Sequence, residues 1–199
     1  KRFPEIVFIS YQMMFAIITP ALITGAFANR ITFKAYLVFL VLWQILVYYP
    51  FVHMVWGNGL LAKLGILDFA GGIVVHATAG FAALASVFYV GERYVKNSIP
   101  NNLPLMAIGT ALLWFGWYGF NAGSELELNG ITSMAFLNTD IAASVASVTW
   151  LILDWKLGSK RPTFMGLLTG SVAGLATITP AAGYVNFFSA FIIGIVASV

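Results

Sequence analysis

The sequence contains no cysteine and few charged residues. Because none of its 199 residues is cysteine, it can form neither a disulfide nor a thiolate metal site. Charged residues make up only 9% of the chain, whereas a soluble domain carries about 25%. A nucleotide-binding loop, a zinc-ligand spacing and a nucleophile with a neighbouring base are also missing. We therefore expect no enzyme and no bound cofactor or metal.

Apolar residues dominate what is present. They form 60% of the chain, and the mean hydropathy is +0.91. Apolar runs of about 20 residues are long enough to cross a bilayer as helices. The sequence therefore predicts an all-α, polytopic membrane protein, with residues 1–199 forming part of one transmembrane domain. The predicted spans are residues 6–28, 35–55, 69–90, 104–122, 131–153, 163–179 and 184–199.

The connections between these spans alternate in charge. One side carries seven of the ten basic residues, namely Arg30, Lys34, Arg93, Lys96, Lys156, Lys160 and Arg161. The other side carries Lys1, Arg2, Lys63, Glu5, Glu125 and Glu127. The positive-inside rule makes the first side cytoplasmic, so the first span begins outside. Cytoplasmic loops then explain the pI near 9.2, and no nucleic-acid partner is expected.

The segment from Asp68 to His76 places an ionisable ring inside a predicted span. An α-helical rise of 1.5 Å per residue would put His76 about 12 Å beyond Asp68. A histidine on an apolar face is often only a satisfied polar group, but in a membrane span such residues usually face a cavity or pathway. Neutral imidazole donates from one nitrogen and accepts at the other, which suits passage of a proton or small polar molecule.

Other candidate site residues have two interpretations each. Asp68 can cap the span that follows it, and its charge can also favour a cation near an outer entrance. Trp56 can anchor the second span at the interface, or offer its face to a small cation. We interpret His53 as an ordinary interfacial residue. Asp140, inside the fifth span, indicates either a pathway or a paired structural site.

Aromatic residues and glycines close the fourth span, from Trp114 to Ser124. This composition is typical of helix packing and an interfacial belt. Ser124 could also offer an oxygen to an ammonium-like ion, and Phe120, one turn deeper, could close a pore by excluding water. Phe15 in the first span is a candidate partner for Phe120.

Several glycines and prolines predict mechanical features. Gly166, Gly170 and Gly174 recur every four residues, which makes one smooth helix face suited to a close crossing. Pro104 fits the first turn of the fourth span. Pro180, after Thr179, is expected to end the sixth.

Five sequence blocks resemble the ammonium transporter family (Amt/Mep, related to the Rhesus proteins). They occur in the family's order and cover nearly the whole chain. The blocks are His53–Gly57, Asp68–His76, Gly116–Ser124, Phe136–Thr139 and Thr179–Tyr184. The resemblance implies a fold of eleven spanning helices with an inverted repeat, in which this chain matches the third to ninth. We accordingly expect it to be a piece of a longer protein, assembled as a homotrimer in the cell membrane.

The resemblance also implies roles for individual residues. Trp56, Ser124 and Phe15 match the outer ammonium-recruitment site, and Phe15 and Phe120 match a stacked phenyl gate. His76 matches the first of two pore histidines, of which the second would lie beyond Val199. Asp68 matches an acid required near the entrance. Asp140 matches no known role.

These roles imply ammonium transport across the membrane as the leading hypothesis. Ammonium would bind outside, lose its proton, and pass the gate as ammonia along His76. A second hypothesis is an ammonium sensor with the same fold, coupled to a cytoplasmic signalling domain or regulatory partner. A third is a general cation channel, which potassium currents would reveal.

Overall fold

The structure is a computed structural model that describes residues 4–93, 100–158 and 160–199. Lys1, Arg2 and Lys96, which enter the charge pattern above, lie outside the described residues. The chain divides into two compact units, residues 1–98 and 99–199, and each is described by itself. All regular elements in the described ranges are helical, which confirms the predicted all-α class.

The first unit contains six α-helices and two π-helical turns among its described residues. They are α1 (Glu5–Ala21), α2 (Thr24–Phe27), α3 (Phe33–Trp43), a π-helical turn (Gln44–Tyr48), α4 (Tyr49–Trp56), α5 (Leu60–Lys63), a second π-helical turn (Gly72–Ala77) and α6 (Thr78–Val90).

The second unit contains four α-helices in the part that the structure describes. They are α7 (Leu103–Ala122), followed by a 3₁₀ turn (Gly123–Glu125), then α8 (Gly130–Lys156), α9 (Phe164–Ile178) and α10 (Phe187–Val196). Pro104 lies in the first turn of α7, and α9 ends just before Thr179, as predicted.

Five helical segments in the described ranges are long and apolar enough to cross a membrane. They are Glu5–Phe27, Phe33–Lys63, Gly72–Val90, Leu103–Glu125 and Gly130–Lys156. The last two predicted spans correspond to shorter apolar helices, α9 with 15 residues and α10 with 10. This pattern is that of a multi-pass membrane protein.

The helices of the first unit are less regular than the sequence predicts. The expected span 6–28 is interrupted between Ala21 and Thr24, because Pro20 lacks an N–H group and its ring disturbs the preceding turn. The expected span 35–55 contains a π-helical turn just before Pro50, where another backbone donor is missing. Such interruptions leave carbonyl groups that need other donors.

The third predicted span begins at Gly72 and not at residue 69, because the Asp68 carboxylate accepts the backbone N–H groups that a further helical turn would otherwise bind. The Asp68 Oδ1 atom accepts from the backbone nitrogens of Gly71 and Gly72, at 2.9 and 2.7 Å. Oδ2 accepts from Ile73 and Val74, at 2.8 and 2.9 Å. One carboxylate thus satisfies four donors that a helix start leaves free, and the capping prediction is confirmed.

Gly71 makes this capped turn possible. Its φ of +104° lies in the left-handed region, where residues with a Cβ are strained. A Cβ on Gly71 would also meet Val75 Cγ2 at 2.8 Å and the Trp56 ring at 3.3 Å. The turn therefore requires glycine for both conformation and space.

Two arginines join one end of the first unit. Arg30, after α2, donates to the carbonyl oxygen of Gly91 at 2.8 Å. Arg93, after α6, donates to the carbonyl oxygen of Gly25 at 2.5 Å. The two basic connections therefore lie at the same end, as the charge alternation predicts.

In the second unit, the glycine face of α9 packs closely on α8. A Cβ on Gly170 would lie 2.6 Å from Trp150 Cβ and 2.7 Å from the Ala146 carbonyl oxygen. A Cβ on Gly174 would meet the Ala142 carbonyl oxygen at an even closer distance. The predicted close crossing is confirmed, and these contacts leave no room for a methyl group.

We expect Gly174→Ala to destabilise the full-length protein by about 1–3 kcal/mol, because α8 and α9 must move apart. Thermal unfolding in detergent measures the loss. Gly109→Ala is the matched control, since a Cβ there meets no atom within 4 Å and alanine favours a helix interior. Equal melting temperatures for the two variants would contradict the close crossing.

We expect Asp68→Asn to cost about 2–4 kcal/mol of stability. One amide oxygen replaces two carboxylate oxygens, so two backbone donors face an NH₂ group and stay unsatisfied. The same melting assay measures this, with Glu92→Gln as an exposed acid-to-amide control. A melting temperature for Asp68→Asn that matches the control would show that the four hydrogen bonds contribute little.

Candidate functional site

In the first unit, the structure brings together Trp56, Asp68 and Phe15. The indole Nε1 of Trp56 donates to the backbone carbonyl of Asp68 at 2.9 Å, which fixes the ring. Phe15 meets that ring edge-on, with centroids 5.7 Å apart and planes at 88°. Tyr11, one turn earlier on α1, meets Phe15 in the same way at 5.0 Å. We call these four residues the Trp56 cluster.

Burial within the Trp56 cluster differs from residue to residue. Phe15 is 1% exposed and Asp68 is 6% exposed, whereas Trp56 is only half-buried. The accessible part of the cluster is thus aromatic and not carboxylate. An electron-rich ring held in a fixed orientation can attract a small cation by its face.

His76 lies on the π-helical turn that Asp68 caps. The Gly71 carbonyl accepts from the His76 nitrogen at 3.1 Å, five residues further on, and from the Val75 nitrogen at 2.8 Å, four residues further on. Residues 68–71 are not helical, so the α-helical rise of 1.5 Å per residue does not hold over the whole distance from Asp68 to His76. The His76 side chain is half-buried. His53, in contrast, is exposed on α4.

In the second unit, the structure joins Phe120 and Ser124 at the end of α7. The hydroxyl of Ser124 donates to the Phe120 carbonyl at 2.8 Å. Trp117 packs beside Phe120, with ring centroids 5.2 Å apart, and its Nε1 donates to Thr179 Oγ1 at 2.9 Å. Phe120 thus rests on a buried tryptophan that is itself fixed by a hydrogen bond.

Sequence reasoning missed the supporting role of Trp117 and Thr179. Both lie in blocks that resemble the family, but nothing in the sequence pairs residues 62 positions apart. Leu175 and Ala143 complete the buried cluster against which Phe120 packs. The spacing of Trp117 and Phe120, three apart on a helix, was the one signal available.

Two amide side chains of the second unit tie its blocks together. Asn121 Nδ2 donates to Thr139 Oγ1 at 2.9 Å, which joins α7 to α8. Asn138 Nδ2 donates to the carbonyl oxygens of Ala182 and Val185, at 2.8 and 2.6 Å, which joins α8 to the α9–α10 connection. These amides are fully buried, so their roles are structural.

Asp140 has a partner that the sequence did not reveal. Tyr118 Oη donates to Asp140 Oδ1 at 2.5 Å, and the Tyr118 ring stacks on Phe136 with centroids 4.2 Å apart. Of the two interpretations left open, the structure favours the paired structural site. Tyr118 and Phe120 lie about 200° apart around α7, so this pair faces away from Phe120.

Among residues 4–93, 100–158 and 160–199, no three His, Asp or Glu side chains gather in a way that could hold a metal ion. The chemistry that these ranges offer is that of aromatic faces, hydroxyls and one half-buried imidazole. Such groups can bind a small polar species or cation.

Comparison with known proteins identifies the family of this chain. A family model described as the Ammonium Transporter Family matches residues 1–199. The "Ammonium transporter" of Aquifex aeolicus is 48% identical over 197 residues, which are 99% of this chain and 46% of that protein. The "Ammonium transporter Amt1" of Archaeoglobus fulgidus is 47% identical over 98% of this chain and 50% of that protein.

Solved structures are also similar. Candida albicans Mep2 superposes with a TM-score of 0.91 and 41% identity, over 98% of this chain and 45% of that one. A structure named "Sensor Amt Protein" gives a TM-score of 0.87 and 38% identity, over 93% of this chain and 49% of that one.

The chain spans about half the length of the curated relatives it matches. Within that half, the matching family model extends over every residue from Lys1 to Val199. The blocks noted in the sequence are also those that the hydrogen bonds of each unit join. This protein is therefore a multi-pass membrane protein that belongs to the ammonium transporter family.

Proposed function

We propose that the chain forms part of a transmembrane ammonium transporter. By the family resemblance, Trp56, Phe15 and Ser124 are the residues of an outer ammonium-recruitment site, Phe15 and Phe120 are those of the phenyl gate, and His76 lines the pore. The observation that carries this proposal is the fixed orientation of Trp56, held by Asp68 with Phe15 against its ring. Family membership supports it, since relatives at 47–48% identity are named ammonium transporters.

Recruitment depends on an exposed aromatic face. Cation–π attraction contributes about 0.5–2 kcal/mol, enough to concentrate a small cation at the entrance without trapping it. The Ser124 hydroxyl donates to the Phe120 carbonyl, so its oxygen lone pairs can accept from an N–H of ammonium. The family resemblance assigns Trp56 and Ser124 to the same recruitment site, where an aromatic face and a hydroxyl oxygen suit an ammonium ion.

The phenyl gate selects for a species that can become neutral. A charge in the apolar interior costs several kcal/mol even on mild insertion scales. Ammonium avoids this cost by releasing a proton, which His76 helps to carry across separately, so that net charge still moves and a current results. Potassium has no proton to release. Phe15 is almost fully buried, so water has little access to its ring. His76 then donates and accepts hydrogen bonds below the gate.

Asp68 contributes to this path by holding other residues in position. Each of its oxygens already accepts two backbone N–H groups, which takes up the lone pairs that a cation would need. Its backbone carbonyl orients Trp56, and its cap begins the segment that carries His76. Asp68 therefore positions both residues and binds no ion itself.

An ammonium sensor is the second candidate, and one observation favours it. The solved "Sensor Amt Protein" shares 38% identity over 93% of this chain, so the same helices serve a protein of that name. A sensor would bind ammonium at the same entrance and pass the signal to a cytoplasmic domain. Binding without current distinguishes it from the transporter.

We place the protein in the cell membrane as a homotrimer with one pore per subunit. The basic connections, including Arg30 and Arg93 at one end of the first unit, would face the cytoplasm. A regulatory partner would approach from that side. Cross-linking in native membranes tests the trimer.

We expect His76→Ala in the full-length protein to lower ammonium-evoked current in proteoliposomes by at least about tenfold, or to admit potassium. The reason is loss of the polar groups that lower the cost of a proton or ammonia in the pore. His53→Ala is the matched control, because His53 is exposed on the same unit. Equal, ammonium-selective currents in both variants would contradict a pore role for His76.

We expect Trp56→Leu to raise the ammonium concentration for half-maximal current by roughly 2- to 30-fold, the equivalent of a lost cation–π contact. Trp56→Phe keeps an aromatic face and loses the N–H donor, so it separates recruitment from anchoring. Trp155→Leu, at a half-exposed tryptophan of the second unit, is the control. An unchanged half-maximal concentration in Trp56→Leu would remove Trp56 from the recruitment site.

A further inference from the structure

In the helix that carries Phe15, the carbonyl of the next residue, Ala16, lacks its usual backbone hydrogen bond. In a regular α-helix, the carbonyl of Ala16 accepts from the nitrogen of residue 20. That residue is Pro20, which has no N–H group and lies inside α1. Ala16 is half-buried in an apolar unit, so its carbonyl needs another donor.

Gln44 supplies that donor from 28 residues away. Its side-chain Nε2 donates to the Ala16 carbonyl oxygen. Gln44 is the first residue of the π-helical turn Gln44–Tyr48. Wide turns of this kind are frequent at functional sites.

The neighbouring carbonyl of Phe15 also accepts from a side chain. The hydroxyl of Thr19 donates to the Phe15 carbonyl oxygen at 2.5 Å. Thr19 and Tyr48, the last residue of the π-helical turn, are 0% and 2% exposed. Two adjacent carbonyls of α1, those of Phe15 and Ala16, are thus held by side-chain donors.

We propose that Gln44 is a positioning residue for Phe15. Its side-chain amide replaces the N–H donor that Pro20 cannot offer to the Ala16 carbonyl, and this fixes the backbone next to the Phe15 ring at the gate. This inference rests on the gate function proposed above for Phe15. Pro20 interrupts the helix next to the gate, and a free carbonyl there would let the turn relax. Gln44 restores the lost restraint from outside the helix.

The backbone linkage explains why position matters for Phe15. Its ring meets Trp56 edge-on at 5.7 Å, and aromatic pairs lose their preferred geometry when one ring shifts. A shift of about 1 Å at the Ala16 carbonyl also moves the backbone of Phe15, because planar peptide units join the two residues. Selectivity against potassium is therefore the property most sensitive to Gln44.

A second substitution can compensate for loss of the Gln44 donor. Pro20→Ala restores an N–H group four residues after Ala16, so the helix can satisfy the Ala16 carbonyl itself. Gln44→Met keeps an unbranched side chain of similar length but removes the donor. If Gln44 serves Ala16, Gln44→Met is harmful with Pro20 present and nearly neutral in the Pro20→Ala background. A double-mutant cycle isolates this coupling from any separate effect of Pro20→Ala.

The first readout is thermal stability of the full-length protein in detergent, which does not depend on transport. We expect Gln44→Met to lower the melting temperature by about 3 °C in the Pro20 background and by much less in the Pro20→Ala background. Thr177→Val is the control. It removes a side-chain donor to the Ala173 carbonyl, but that carbonyl can still accept from the backbone N–H of residue 177, as in any α-helix. Equal losses in both backgrounds would overturn the link between Gln44 and Ala16.

The second readout is the ratio of potassium to ammonium current in proteoliposomes. We expect Gln44→Met to raise this ratio roughly tenfold, which corresponds to about 1.4 kcal/mol of lost discrimination, and the double variant to return it to the wild-type value. A purely structural glutamine would change the amount of folded protein but not the ratio. An unchanged ratio, or one that Pro20→Ala does not restore, would overturn the positioning role.

The two readouts separate this inference from the proposed function. A wild-type protein that conducts no ammonium would overturn the transporter and with it the gating role of Phe15. A selective wild-type current with no coupling between positions 20 and 44 would overturn the inference alone. Coupling in both readouts would support both.

Discussion

The carboxylate of Asp68 accepts four successive backbone N–H groups, from Gly71 to Val74. Donors at a helix start are costly in an apolar medium, where water cannot satisfy them. A single buried acid removes that cost, and Gly71 provides the left-handed turn that aims the donors at it. The Asp68 carbonyl holds Trp56 at the same time. The Trp56 cluster and the segment with His76 therefore share one support.

Close helix packing supports the second unit. Gly170 and Gly174 let α9 approach the backbone of α8. A Cβ added to Gly194 of α10 would lie only 2.7 Å from the Ala142 carbonyl oxygen, so α10 also approaches α8 closely. Lipid gives little hydrophobic force between helices, so close contact and buried hydrogen bonds must supply it. Asn138 adds the latter by bonding to the connection between α9 and α10. Phe120 is thus presented by rigid neighbours.

Features encoded by neighbouring residues could be predicted from the sequence. The Asp68 cap, the glycine face of α9 and the start of α7 at Pro104 each depend on spacing within one segment. The π-helical turns, the partner of Asp140 and the link between Gln44 and Ala16 could not be predicted. The partner of Asp140 and the link between Gln44 and Ala16 depend on which helices meet, and single-sequence periodicity holds no information about pairs far apart. Family resemblance named Trp56 and Phe15, but not the contacts that hold them.

The bond between Tyr118 and Asp140 bears on how the second unit enters the bilayer. An aspartate near the centre of a lone helix adds about 2.5–3.5 kcal/mol to its insertion cost. Only residues 123–129 separate α7 from α8, so Tyr118 can reach Asp140 as soon as both helices have emerged from the ribosome. Insertion of the two helices together as a hairpin therefore costs less than insertion of α8 alone.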